Sequence, residues 1–243
     1  MANPTAAMLV IGDEILSGRT RDSNMYFLAQ QLSERGITLC EARVVADRQD
    51  RIVSALNDLR AQYDHVFTSG GIGPTHDDIT ADAVAAAFGV ALGIRDDARA
   101  ILAAHYERTG LELNAARLRM ARIPEGADLI ENPVSAAPGF SIGNVHVMAG
   151  VPAVFEAMLA SVLADVTGGQ ALFSQSLTIQ RGEGEIAADL AELARACPDV
   201  SIGCYPFQRD GAYGATVVVR GADKGQVDAA MVRLGVLFPE AMA

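Results

Sequence analysis

The sequence predicts an α/β protein built on a parallel sheet with crossover helices, followed by a small α+β unit. Three observations carry this reading. Short apolar runs stopped by glycine alternate with amphipathic helical stretches in the first two thirds of the chain, which is the pattern of parallel strands joined by helices. The 243 residues are more than one average domain and fewer than two. After Gly168-Gly169 the rhythm changes to a strand, a helix, two strands and a helix.

Residues 6–11, all apolar and stopped by Gly12, form a buried strand. Met25, Leu28, Ala29 and Leu32 recur at helical spacing, with Asp22 or Ser23 as N-cap and Gly36 as the stop. Residues 37–45 make a second strand, Ile52, Ala55, Leu56 and Leu59 mark a second helix, and residues 65–68 make a third strand running into glycines. Helices follow over 80–88, 96–109 and 115–122, the last closed by Ile123-Pro124. Asn132-Pro133, Ala137-Pro138-Gly139 and Gly143-Asn144 are turn signals around a hairpin of residues 140–142 and 145–148. Pro152 begins a helix through Phe155, Met158, Leu159 and Leu163. The boundary then divides the chain into residues 1–168 and 169–243. The second part reads as a βαββα unit with no cluster of catalytic residue types, suited to packing or assembly. No internal repeat or low-complexity tract interrupts either part.

Half of the residues are hydrophobic, enough for an ordinary core, and the formal charge is −11 with Lys224 the only lysine. Phosphate repulsion makes nucleic acid or an anionic membrane a poor partner for such a chain. A small anion held by backbone amides, or through a divalent metal, remains compatible. Cys40, Cys197 and Cys204 are scattered and odd in number, as expected of free thiols in a reducing cytoplasm rather than of a disulfide framework or zinc site. The first fifteen residues have no basic leader and the longest apolar run, 83–94, is half a membrane span, so neither a targeting nor a transmembrane segment is expected.

The most informative stretch runs from Thr68 through Ser69, Gly70, Gly71, Ile72, Gly73, Pro74, Thr75, His76, Asp77, Asp78 and Ile79 to Thr80, between a strand and a helix. A loop at the carboxyl end of a parallel strand lies where open α/β sheets bind ligands, and its glycines let backbone N–H groups approach an anion. Thr80 is placed to N-cap the helix. A plain tight turn ahead of an acidic helix start fits the pattern equally well. Neither the P-loop nor the G-x-G-x-x-G fingerprint is present. Asp77 and Asp78 beside bound phosphate would repel it by about 4 kcal/mol per charge pair at ~4 Å and an effective dielectric of ~20. That repulsion calls for Mg²⁺ or another divalent metal between them. Two further loops leave strands at the same edge: Gly12, Asp13 and Glu14 after the first, and Asp47 after the second, where helix capping is the alternative role. His76 could shuttle a proton or be a solvated loop residue. Arg117, Arg119 and Arg122 could meet phosphate or form a solvated face. His65, His105 and His146 lie apart in the chain and suggest no triad.

The two glycine-bearing motifs, residues 12–18 with Asp22 and Asn24 and then residues 68–80, resemble the MoaB/Mog-type molybdopterin-binding domain. Within that family they are most similar to the N-terminal region of CinA-type competence/damage-inducible proteins. The resemblance covers about residues 6–167, while 182–193 and 201–207 resemble the small middle domain of CinA-type proteins. It implies a three-layer α/β sandwich with a mostly parallel sheet, and a cleft for a phosphorylated pterin, molybdopterin itself included, or an adenine nucleotide. The implied ligand-binding residues are Gly12, Asp13, Glu14, Ser69, Gly70, Gly71, Gly73, Pro74 and Thr75, with Gly150 and Pro152 of a family turn. Asp47, Asp77 and Asp78 are the implied metal ligands, with Asp47 and Asp78 supporting catalysis. The CinA branch implies metal-dependent hydrolysis of a nucleotide pyrophosphate such as ADP-ribose; the alternatives are molybdopterin adenylyl transfer and a non-catalytic binding or assembly module. A homo-oligomer, dimer or trimer, is also implied. Some CinA-type proteins continue into a nicotinamide-mononucleotide deamidase domain, an activity not expected of these residues. Where the family has Leu-Pro-Gly-x-Pro this chain has Met148-Ala149-Gly150-Val151-Pro152, and Ser135-Ala136-Ala137-Pro138-Gly139 stands for Gly-Thr-Ala-Pro-Gly.

Overall fold

The computed structural model describes residues 3–209 and 211–241. The chain forms two compact units, Met1–Gly169 and Gln170–Ala243.

In the first unit the elements run β1 (Thr5–Ile11), α1 (Asp13–Leu16), α2 (Asn24–Glu34), β2 (Thr38–Val45), α3 (Gln49–Gln62), β3 (His65–Ser69) and α4 (Thr80–Phe88). Next come β4 (Leu92–Ile94), α5 (Asp96–Thr109), α6 (Ala115–Leu118), β5 (Arg122–Pro124), β6 (Asp128–Ile130), β7 (Gly139–Ile142), β8 (Val145–Met148) and α7 (Pro152–Asp165). The main sheet has the order β2-β1-β3-β8-β7-β6. β2, β1, β3 and β8 run parallel, and β7 is antiparallel to both its neighbours.

β1 shows why the sheet is covered on both faces. Ala7, Leu9 and Ile11 point into a core with Leu56 and Leu59 of α3, Val84 of α4 and Leu102 of α5. Ala6, Met8 and Val10 point into a second core with Leu28 and Leu32 of α2 and Phe155, Met158 and Leu159 of α7. A strand apolar at every position is what a sheet between two helical layers demands. The expected three-layer α/β arrangement is therefore what the chain adopts.

Three short strands differ from the sequence reading. The helix expected over 115–122 resolves into the single turn α6, a 3₁₀ turn over Arg119–Ala121 and then β5. Pro124 disfavours helix at Ile123, and β5 instead pairs antiparallel with β4. β4, β5 and β6 have three residues each, too few to display a period.

The second unit comprises β9 (Phe173–Ile179), α8 (Glu183–Ala196), β10 (Ser201–Arg209), β11 (Ala212–Gly221) and α9 (Lys224–Leu237). Its antiparallel sheet has the order β10-β11-β9. Alternating Ala215, Val217 and Val219 of β11 pack on Ile186, Leu190 and Leu193 of α8 and Val227, Ala230 and Leu234 of α9. None of the described helices is long and apolar enough to cross a membrane.

Phe155 is fully buried on the inner side of α7. Phe155→Ala is expected to lower the unfolding free energy by about 3–5 kcal/mol in urea denaturation, the usual loss for an emptied aromatic site. A loss below about 1 kcal/mol would mean that α7 is not a structural layer of this sheet.

Candidate functional site

The first three loops and the 149–152 turn all leave carboxyl ends of the parallel strands β1, β2, β3 and β8. Between them opens a cleft of about 520 Å³, lined by Glu14, Gly70–Pro74, Asp78, Asn132, Ser135 and the turn Ala149–Pro152. That volume is in the range of small-ligand sites.

The glycine loop has the conformation that it has because nothing larger fits. Gly70 has φ +107°, and a Cβ there would lie 2.2 Å from the Ile11 carbonyl oxygen. Gly71, at φ +69°, would place one 2.2 Å from the Thr80 hydroxyl. The loop is tied from beneath: the Thr80 hydroxyl donates to the Gly70 carbonyl at 2.9 Å, and the Thr80 N–H to the Gly71 carbonyl at 3.0 Å. Thr80 is therefore not the helix cap expected from sequence. Ile79 holds that position, and the buried Thr80 side chain anchors the loop instead.

Asn24 makes a second tie. It is 3 % exposed, and its Nδ2 donates to Ser69 Oγ and to the Gly150 carbonyl, both at 2.8 Å. A carbonyl can only accept, so this bond fixes which end of the amide faces Gly150. One side chain thus joins the start of α2, the end of β3 and the turn after β8. The turn keeps its place although Ala149 stands where the family has proline. Ser69, expected to bind ligand, is 2 % exposed and serves this tether.

Asp47 does not cap α3; Arg48 occupies the cap position. Its Oδ2 accepts the Asp13 N–H at 2.8 Å and so joins the first loop to the second. Burial raises the Asp47 carboxyl above its ordinary range, and the charges of Asp13, Glu14 and Asp77 push it the same way against the lowering effect of the Asp13 N–H. The structure therefore places Asp77 in the electrostatic neighbourhood of Asp47. Asp78 is held differently, its Oδ2 accepting the Thr75 N–H at 2.8 Å and the Thr75 hydroxyl at 2.5 Å. Gly73 leaves room for that carboxylate, which a Cβ would approach to 2.6 Å.

The expected metal set of Asp47, Asp77 and Asp78 is thus not assembled as a trio. Among the described residues no three His, Cys, Asp or Glu side chains come together closely enough to hold an ion. The reason is local: Thr75 draws Asp78 onto its own loop. The donor chemistry nonetheless suits a hard divalent cation, which needs only one or two carboxylates when phosphates supply further oxygens. Gly12, Asp13 and Thr75 belong to the framework of the rim, while Glu14, Gly70, Gly71, Gly73, Pro74, Gly150 and Pro152 line the cleft.

The three arginines separate cleanly. Arg117 turns back to the Glu112 carbonyl and lies over Tyr106, and Arg122 forms a salt bridge with Asp82. Arg119 lies behind the glycine loop in a small cavity with Gly71, Gly73 and Asp78. Its Nη2 donates to the Asp78 carbonyl at 3.4 Å, and its buried Nε has no partner. His76 is almost fully exposed, 3.8 Å from Asp77. Sequence reasoning missed the role of Asn132 in the opposite wall. Its Nδ2 donates to Ser135 Oγ and the Ala137 carbonyl while its Oδ1 accepts the N–H groups of Val134 and Ser135. Ala136, in the bend thus closed, has φ +62°. The Asn-Pro dipeptide was the available signal for this turn.

Thr80→Val keeps the shape of the side chain and leaves the buried Gly70 carbonyl without its hydroxyl donor. It should cost about 1–3 kcal/mol of stability in denaturant titration. An unchanged midpoint would show that the hydroxyl does not hold the loop.

Residues 7–168 match the family described as "Probable molybdopterin binding domain", and residues 171–243 match the middle domain of FAD synthase. A protein of Caldivirga maquilingensis is 34 % identical over 196 residues, which are 78 % of this chain and 76 % of that protein. A CinA-like protein of Geobacter metallireducens is 33 % identical over 206 residues, 81 % of this chain but only 50 % of the relative. The crystal structure of the protein CinA from Thermoplasma acidophilum, described as of unknown function, superposes with a TM-score of 0.62 at 36 % identity, covering 68 % of this chain and 99 % of that one. With its glycine loop, carboxylate rim and turn after β8 at one sheet edge, the chain belongs to the molybdopterin-binding domain family, as a CinA-like member of the MoaB/Mog type.

Proposed function

We propose that the first unit hydrolyses a nucleotide pyrophosphate of the ADP-ribose class in a metal-dependent reaction. The observation that carries this reading is a glycine-rich loop lining the cleft, with the Arg119 guanidinium in a small cavity behind that loop and carboxylates on the neighbouring loops. Backbone N–H groups and Arg119 suit phosphate oxygens. The rim of Asp13, Glu14, Asp47 and Asp77 would repel the same phosphates. Both sets of groups are useful to one ligand if a cation lies between them.

Asp77 would hold that ion, which would screen the phosphates and draw charge from the phosphorus under attack. Glu14 lines the cleft and adds negative charge beside it. Asp47 Oδ2 is committed to the Asp13 N–H, which leaves Oδ1 to take a proton from the attacking water; a carboxyl raised above its usual range is the better base for it. Asp78 positions Thr75 and the cradle. Water adds across the P–O–P bridge, and ADP-ribose gives AMP and ribose 5-phosphate. The match of the second unit to a domain of FAD synthase supports this substrate class, since FAD is itself two halves joined by a pyrophosphate. The family's description, which names molybdopterin, favours one second reading: adenylyl transfer from ATP to the pterin phosphate.

Pure protein incubated with ADP-ribose should release AMP with Mg²⁺ or Mn²⁺ and not with chelator. Asp47→Asn should lower kcat by at least about 100-fold, and Arg119→Ala should act mainly on KM. Turnover without metal, or an undiminished Asp47→Asn enzyme, would remove this mechanism. ATP-dependent adenylation of the pterin without ADP-ribose turnover would establish the second reading.

A further inference from the structure

A concavity of about 780 Å³ opens at the opposite end of β3 from the glycine loop, where His65 begins the strand. Its lining includes His65, His146 and Ser141, with Asp128, Glu131 and Asp165 around them, and no lysine or arginine. Histidines 81 positions apart in sequence meet here because β8 lies beside β3. His65 Nδ1 and His146 Nε2 face each other at 3.3 Å, and the rings are stacked at 28° with centroids 5.6 Å apart. The other nitrogen of His146, Nδ1, lies 2.9 Å from Ser141 Oγ.

We propose that this imidazole pair is a second site, distinct from the nucleotide cleft, that binds a divalent transition-metal ion such as Zn²⁺ or Co²⁺. Two nitrogens each about 2.05 Å from a tetrahedral ion lie about 3.3 Å apart, so the pair is already at the separation required. With its proton on Nδ1 and donated to Ser141, His146 presents the Nε2 lone pair to the ion, the tethering that orients metal-bound imidazoles. Burial, and then the neighbouring His65, push His146 down to about 4, and burial lowers His65 as well. Burial thus favours the neutral rings, the form that coordinates a metal. Imidazole selects ions of this class over Mg²⁺. Among the described residues no third ligand closes the shell, so water fills the remaining positions, within a pocket whose acidic residues favour a cation. An anionic ligand would find no compensating charge here.

The test is Co²⁺ titrated into the intact chain in the presence of excess Mg²⁺, read by the visible absorption that only low-coordinate Co²⁺ shows strongly. One equivalent is expected to saturate the band. His65→Ala, at a half-buried ring, should abolish it while leaving the circular dichroism unchanged. Ser141→Ala should weaken binding by about tenfold or more, and Asp77→Asn should leave it unaltered. A thermal shift by Zn²⁺ in the parent protein that is lost in His65→Ala gives an independent readout. Absence of the band, its survival in His65→Ala, or its loss on alkylation of the three cysteines would overturn the proposal.

Discussion

Everything at the cleft depends on four parallel strands ending at one edge of the sheet. In the order β2-β1-β3-β8 each strand delivers one segment to that edge: Asp47, Asp13 with Glu14, the glycine loop, and the 149–152 turn. Parallel pairing requires crossover helices, and those helices bury both faces of the sheet. The two cores that result make the strand ends rigid enough to hold loops of unusual backbone. Gly70 illustrates the dependence, since its position against the Ile11 carbonyl exists only while β1 and β3 are neighbours.

Charge distribution is the second organising element. A chain of net charge −11 places several of its carboxylates on the rim of the cleft and leaves Arg119 behind the loop without a matching acid. A buried donor without an acceptor, as Arg119 Nε is, costs free energy.

Much of this was legible in the sequence, and the parts that were not share a cause. Apolar periodicity gave the layers because β1 buries its apolar run and α7 buries its large apolar residues. The glycine loop was legible because only glycine tolerates its backbone. Local signals misled where a side chain had both a local and a more distant partner: Asp47 and Thr80 each looked like helix caps, but Asp47 bonds to the first loop and Thr80 to Gly70 ten positions back. Asp78 shows the reverse, a carboxylate expected to reach outward that is retained by Thr75 three residues away. His65 and His146 carried no sequence signal at all, because their meeting is a consequence of strand order and register. β4, β5 and β6 were invisible for want of length.

Asn24 gives the cleft a mechanical asymmetry. One buried amide spans α2, β3 and the turn after β8, so these three move together or lose two hydrogen bonds. The facing wall, 132–137, is closed by Asn132 with bonds that reach no further than five residues along the chain. It also contains Ala136 in a left-handed conformation that alanine adopts at a cost. The cleft therefore has one wall tied across three elements and one closed only on itself. Ligands with one part in common would meet the same tied wall, and any difference between them would fall to the wall that is held only by its own residues.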